Sequence, residues 1–265
     1  MPTNDISALN QIGFTSQFVD PDVEHTVRTF HHHCFTCAGS TLEQRISAPF
    51  LSKETLLLAE TKESRFSHFS HIVTGHSTST QTAVSRWPSL KEGQLGIVEF
   101  EKIASILGQA IGADGLGRRP YPSGGALYSA EAIVVTSEMV EGIPPFSVAH
   151  YLPGSNRFEL LPAQFDQDRY NAIATINGAV FYVAYFINLK KATFKYRSRG
   201  YRLALLEIGS MYHHITTVAQ ENGIASRVLA GFSEYEFTKT CGLDSRLLLP
   251  AAIQAFGFPG DANVQ

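Results

Sequence analysis

Two hydrophobic periods organise this chain. Between Glu99 and Ile111, the residues Phe100, Ile103, Leu107 and Ile111 recur at steps of three and four, which places them on one helical face; Gly112 and Asp114-Gly115 end the pattern. Residues 180–187 are instead almost continuously apolar and aromatic, the pattern of a central strand covered on both faces and too short to cross a bilayer. From Tyr201 to Gln220 the helical step returns in Leu205, Ile208, Tyr212, Ile215 and Ala219, and Gly223 stands where such a helix closes.

Other segments fill in between. Residues 132–136 predict a buried strand, 158–161 a short one and 164–174 a helix, while 227–230 read as strand, 234–241 as helix and 247–256 as a last apolar segment. Short helices are expected around 22–33 and 50–60, and the polar stretch 77–85 reads as a loop or linker. Strands separated by helices make an α+β chain. Its expected division is a mostly helical N-terminal extension, 1–75, and a main domain, 76–265.

Composition narrows the partners. At 265 residues, 44% apolar and 17% charged, the chain can bury a substantial core without disulfide staples. A formal net charge of -3 argues against a nucleic-acid binder steered by bulk charge, so any anion site has to be local. No window approaches the ~18–20 apolar residues of a membrane span, and MPTNDISALN lacks the apolar core of a signal peptide, which makes the cytoplasm the expected location. Three cysteines, Cys34, Cys37 and Cys241, do not form a disulfide framework.

Three stretches carry candidate chemistry. In "RRPYPSGGALYSAEAIVV", residues 118–135, Pro120 and Pro122 fix φ and Ser123 suits the N-cap of a turn. Gly124-Gly125 lets a ligand lie against main-chain N–H groups, and Arg118 and Arg119 can neutralise a phosphate. This is an anion cradle, neither a Walker loop nor a dinucleotide fingerprint; the competing reading is a capped surface turn with solvated arginines. In "FKYRSRGYRLALLE", residues 194–207, Lys195 and Tyr196 are expected at the end of an apolar strand, just before the long helix. An ammonium beside a phenol favours the phenolate and partial burial favours the neutral amine, so such a pair suits proton transfer; Arg197, Arg199 and Arg202 add positive charge. Its competing reading is a basic surface loop with aromatic filler. "FHHHCFTC", residues 30–37, invites a zinc reading, but no second half-motif follows and adjacent helical residues point to different faces, so no metal site is expected there or at His213-His214. With no G-x-S-x-G elbow and no H-E-x-x-H, a bound cofactor would account for both the cradle and the scarcity of nucleophiles.

Taken as a set, "RRPYPSGGALY", "FKYRSRGYRLALLEIGSMY" and "GIASRVLAGF" resemble the flavin-dependent dehydrogenases of thiazole/oxazole-modified peptide biosynthesis, a branch of the nitroreductase-like family. The resemblance spans roughly residues 115–257 and is looser before, where it rests on "SRWP" at 85–88 and a helix ending near Phe30-His31. It implies a nitroreductase-type α+β fold with a central, mainly antiparallel sheet flanked by helices, and FMN held at a homodimer interface. It also implies oxidation of thiazolines and oxazolines in a precursor peptide to azoles, beside a cyclodehydratase and a leader-peptide-binding partner. Carried over by position, Pro122, Ser123, Gly124 and Gly125 line the flavin. Arg118 or Arg119 lies near its phosphate or ribityl chain, with Arg86 a second phosphate candidate and Arg202 part of the cationic surround. Ala230-Gly231 approaches the flavin through main chain, and Lys195-Tyr196 is the acid/base pair that removes the azoline Cα proton. Dioxygen is the expected reoxidant. The sequence departs from the pattern at Ser129, where Pro is usual, and at Ser198, where an aromatic occurs in the family. Two competing functions are an NAD(P)H-dependent nitroreductase-like flavoenzyme acting on small molecules and a non-catalytic scaffold subunit.

Overall fold

The computed structural model describes residues 20–33, 86–163, 165–173 and 176–260. The helix expected at 50–60, the linker at 77–85, the boundary near residue 75, and Cys34 and Cys37 lie outside these residues. The chain divides into two compact units, 39–85 and the remainder, and every element below belongs to the second.

In chain order, α1 (Pro21–His33) starts on a proline with Asp22 and Glu24 in its first turn, both suited to a helix N-terminus. Two short strands follow, β1 (Gly93–Gln94) and β2 (Val98–Glu99), and then α2 (Phe100–Ile111), which buries Ile103, Leu107 and Ile111 of the expected stripe together with Ile106 and Ala110. The strands β3 (Ala130–Thr136), β4 (Val140–Glu141), β5 (Val148–Leu152) and β6 (Arg157–Leu160) precede α3 (Gln167–Ile173). The apolar run becomes β7 (Phe181–Asn188), followed by α4 (Leu189–Tyr196) and α5 (Ser198–Glu221). β8 (Ala225–Leu229), α6 (Glu234–Thr240) and β9 (Leu248–Pro259) complete the unit.

Seven strands form one sheet in the order β1-β9-β7-β3-β5-β6, with β8 also paired to β9, and every pairing in it is antiparallel. β2 and β4 make a separate parallel pair. Because side chains alternate along β7, Val183, Tyr185 and Ile187 pack under α2, α4 and α5, while Tyr182, Ala184 and Phe186 pack on the other face with Ile173 of α3 and Phe237 of α6. Each such large side chain contributes about 1.5–3 kcal/mol by leaving water. The expected α+β architecture is therefore present. A buried polar network crosses the same interior: Tyr185 donates to Gln254, whose amide nitrogen donates to Thr216 at 2.8 Å and Ser226 at 3.0 Å, linking β7, β9, α5 and β8.

The structure corrects the sequence reading in four places. β7 ends at Asn188, whose side chain accepts from the Lys191 N–H at 3.1 Å and so caps α4; Lys195 and Tyr196 sit on this short helix rather than at a strand end. The long helix begins at Ser198, not Tyr201. Its buried stripe runs through Ala204, Glu207, Ile208, Met211, Ile215, Val218 and Ala219, which leaves Leu205 39% exposed. β5 was not expected, because half-buried His150 interrupts its apolar pattern.

That histidine has a defined setting. His150 Nε2 lies 3.3 Å from Glu131 and Nδ1 3.5 Å from Glu159. Burial opposes its charge, but the two carboxylates outweigh burial and raise its pKa above the ordinary imidazole value. A raised folded-state pKa gives stabilisation that is complete below about 6.5 and is lost as pH rises through the folded-state value. Thermal melts are therefore expected to show His150→Gln less stable than the parent near about pH 6, with the gap narrowing toward about pH 9; a gap independent of pH contradicts this.

Candidate active site

The Ser-Gly-Gly stretch folds as a one-turn 3-10 segment, Gly124–Ala126. Positive φ values occur at Gly125 (63°), Ala126 (53°) and Tyr128 (49°). Glycine adopts this region freely, but a residue with a Cβ pays about 1–2 kcal/mol there, so surrounding contacts have to hold the turn. Those contacts converge on Glu207 of α5, which is 2% exposed. Its carboxylate accepts from Ser123 Oγ at 2.6 Å, from the Ala130 N–H at 3.0 Å and from the Ser129 N–H at 3.4 Å. Ser123 Oγ in turn accepts from the Tyr128 N–H at 2.9 Å. Ser123 thus does not make the N-cap bond expected of it; its hydroxyl is used to tie the turn to α5. Burial raises the Glu207 pKa, against the opposing effect of these donors and of Arg119.

Lys195 and Tyr196 end α4, and Arg197, at φ 51°, turns the chain into α5. The two helices meet at backbone distance: a Cβ on Gly200 would lie 1.8 Å from the Ala192 carbonyl oxygen. The decisive contact is with the glycine turn. A Cβ on Gly125 would lie 2.6 Å from the Tyr196 hydroxyl and 3.1 Å from Lys195 Nζ, and one on Gly124 would lie 2.8 Å from Leu203. Two segments 70 residues apart therefore form one surface, with half-buried Tyr196, exposed Lys195, and the Lys195 ammonium 5.3 Å over the Tyr196 ring. The N–H groups of Gly124 and Gly125 have no acceptor among the described residues, leaving two main-chain donors beside the ammonium and the phenol. α1 braces this bend: Asp20 pairs with Arg197, and His31 shares a 2.8 Å hydrogen bond with the Tyr201 hydroxyl. Burial pushes the His31 pKa down to about 4, so the ring is neutral near neutral pH.

The arginines are less free than the sequence suggested. Arg118 pairs with Asp114 at 2.8 Å on the surface, a contact it can exchange for an anion at little cost. Arg119 donates to the Tyr121 hydroxyl at 2.7 Å and lies 4.4 Å over the Tyr128 ring, so it faces inward. Pro122 and Arg202 are exposed at the edge of the turn and on α5 next to Leu203. Ala230-Gly231 follows β8, which is separated from β3 by β9 and β7. Arg86 is not brought near it: the neighbouring Trp87 N–H donates to Gln220 at the far end of α5, about 25 Å along the helix from Leu203. Among the described residues a cavity of about 260 Å3 lies between α3 and α6, lined by Phe165, Ile173 and Phe237 on the other face of the sheet. His214 Nδ1 lies 2.7 Å from the Ala110 carbonyl, and no group of three or more His, Cys, Asp or Glu side chains that could hold a metal occurs among the described residues.

The chain as a whole has relatives. The Nitroreductase family profile matches residues 96–258, from β2 to β9. The chain belongs to the nitroreductase family. It is 33% identical over 262 residues to the Microcin B17-processing protein McbC of Escherichia coli, covering 93% of this chain and 94% of that one. Its structure is similar to a chain of the E. coli microcin synthetase McbBCD complex with truncated pro-MccB17 bound, with a TM-score of 0.82 and 32% identity over 94% of this chain and 98% of that chain. A nitroreductase-fold protein from Ralstonia eutropha, at 14% identity and a TM-score of 0.56 over 72% of this chain and 89% of that one, shares the fold alone.

Within this candidate site, Glu207 is the residue that sequence reasoning missed. Its signal was a carboxylate on the stripe of α5 otherwise made of Ala204, Ile208 and Met211. The turn also yields a test. Gly125→Ala adds a Cβ at φ 63° against the Tyr196 hydroxyl, so urea unfolding is expected to show a loss of about 2 kcal/mol or more. Gly115→Ala, with nothing within 4 Å, is expected to stay within about 0.5 kcal/mol of the parent. Equal effects at both positions contradict the close approach.

Proposed function

We propose that this chain is the FMN-dependent dehydrogenase subunit of a peptide-modifying synthetase, oxidising thiazoline and oxazoline rings of a precursor peptide to thiazoles and oxazoles. The reading rests on one observation above the others: the Lys195 ammonium and Tyr196 hydroxyl lie against the Gly125 backbone, so a proton-transfer pair and an anion-accepting turn share a surface. The relative found in a microcin synthetase complex with pro-MccB17 supports a peptide substrate and a cyclodehydratase and leader-binding subunit as partners.

The residues present fit FMN. Gly124 and Gly125 offer N–H donors with no acceptor among the described residues, Arg118 can exchange its surface partner for a phosphate, and Pro122 and Ser123 shape the turn. Bound FMN supplies a two-electron acceptor for the hydride removed from the azoline ring. The chain supplies the proton chemistry. An azoline Cα–H, flanked by a C=N and a carbonyl, is acidic, and Tyr196, as the phenolate or by relay through a neutral Lys195, is the residue placed to take that proton. The exposed Arg199 and Arg202 add positive potential where negative charge accumulates. Because the turn, Lys195 and Arg202 are exposed in a single chain, we assign the covering of the site to a second copy and the synthetase partners.

Lys195→Ala combined with Tyr196→Ala is expected to leave a folded, yellow protein that slows azole formation by about 10²–10⁴-fold in a reconstituted synthetase, so that azolines accumulate by mass spectrometry. Azole formation at the parent rate rejects these roles. A parent protein that takes up no FMN rejects the cofactor assignment.

A further inference from the structure

We infer that Glu207 is a positioning residue of this site, setting the place of the Ser-Gly-Gly turn and, through Gly125, of the Tyr196 hydroxyl. The inference deepens the proposed function and rests on it for its catalytic consequence, but its structural basis is independent. The turn includes two non-glycine residues in the left-handed region, Ala126 and Tyr128, and such backbone relaxes unless it is held. The hold is a buried carboxylate. An ionised carboxylate only accepts hydrogen bonds, and three donors from the turn and the start of β3 point at this one: the Ser123 hydroxyl and the Ser129 and Ala130 N–H groups.

The anchor is rigid because it lies one helical turn from Leu203, the side chain against which Gly124 packs. Gly124 and Ser123 are thus fixed to α5 at two adjacent points, and Gly125 follows as the next residue, against Tyr196 and Lys195. The hydrogen bonds to Glu207 come from Ser123, Ser129 and Ala130, so it acts on Lys195 and Tyr196 through the backbone of the turn. Replacing the carboxylate by an amide, as in Glu207→Gln, puts an N–H2 group where an acceptor is needed, so at least one of the three donors loses its partner.

Glu207→Gln and Ser123→Ala test the assignment, the second leaving the carboxylate intact and removing only the hydroxyl that bridges it to Tyr128. Hydrogen exchange on the apo-proteins, which needs no flavin and no peptide, is expected to show faster exchange both at Ser129 and Ala130 and in residues 193–197. With flavin added, the FMN Kd is expected to rise about tenfold or more. At saturating FMN, kcat for azoline oxidation is expected to fall while the peptide KM holds, because the loss lies in the placement of the proton-transfer pair. Faster exchange confined to Ser129 and Ala130, with FMN affinity and kcat at parent values in both variants, overturns the inference and leaves Glu207 a local structural bond. If Glu207→Gln does not fold, Ser123→Ala decides alone: a parent-like Kd and kcat overturn the inference, and a loss in both supports it. Failure of the parent protein to bind FMN rejects the proposed function, while the exchange result stands apart from it.

Discussion

The antiparallel pairing of β3 with β7 is the constraint on which the rest depends. Its register sets Ala130 opposite Ile187, so the chain entering β3 and the chain leaving β7 emerge at the same end of the sheet. The first carries the glycine turn; the second continues directly into α4 with Lys195 and Tyr196. A shift of one residue in this ladder would exchange the two packed faces of β7 and misplace both segments together. Fold stability and site geometry are thus set by the same hydrogen bonds.

The strands and helices that cover their faces with apolar side chains were readable because periodicity reports burial. β7 has both faces covered and reads as a continuous run, and α2 has one covered stripe and reads with a helical step. Elements governed by local polar contacts were not readable in the same way. α4 depends on the Asn188 cap, and the sequence after Ile187 carries no long apolar period to announce an eight-residue helix. The stripe of α5 was displaced because Leu205 looks like a core residue, whereas α5 gives the core position to Glu207.

The site divides along the same line. The sequence made the glycines and the Lys-Tyr pair visible by residue type, and the structure brings them into contact at Gly125. Partner choice was beyond reach of spacing alone: Arg118 finds Asp114, Arg119 turns in toward two tyrosines, and Ser123 bonds across to α5 instead of capping its own turn. Arg86 shows the limit most plainly, since only the end-to-end length of α5 reveals how far it lies from the turn. Charge near a motif in sequence says little about which charge a folded chain leaves available.

The brace supplied by α1 has a consequence of its own. Asp20 and His31 take hold of Arg197 and Tyr201 from opposite ends of one helix, and Arg28 between them reaches the carbonyls of Ser245 and Arg246. One helix is therefore tied at three points, to the bend that carries Tyr196 and to the segment that leads into β9, so a displacement of that helix would shift both together.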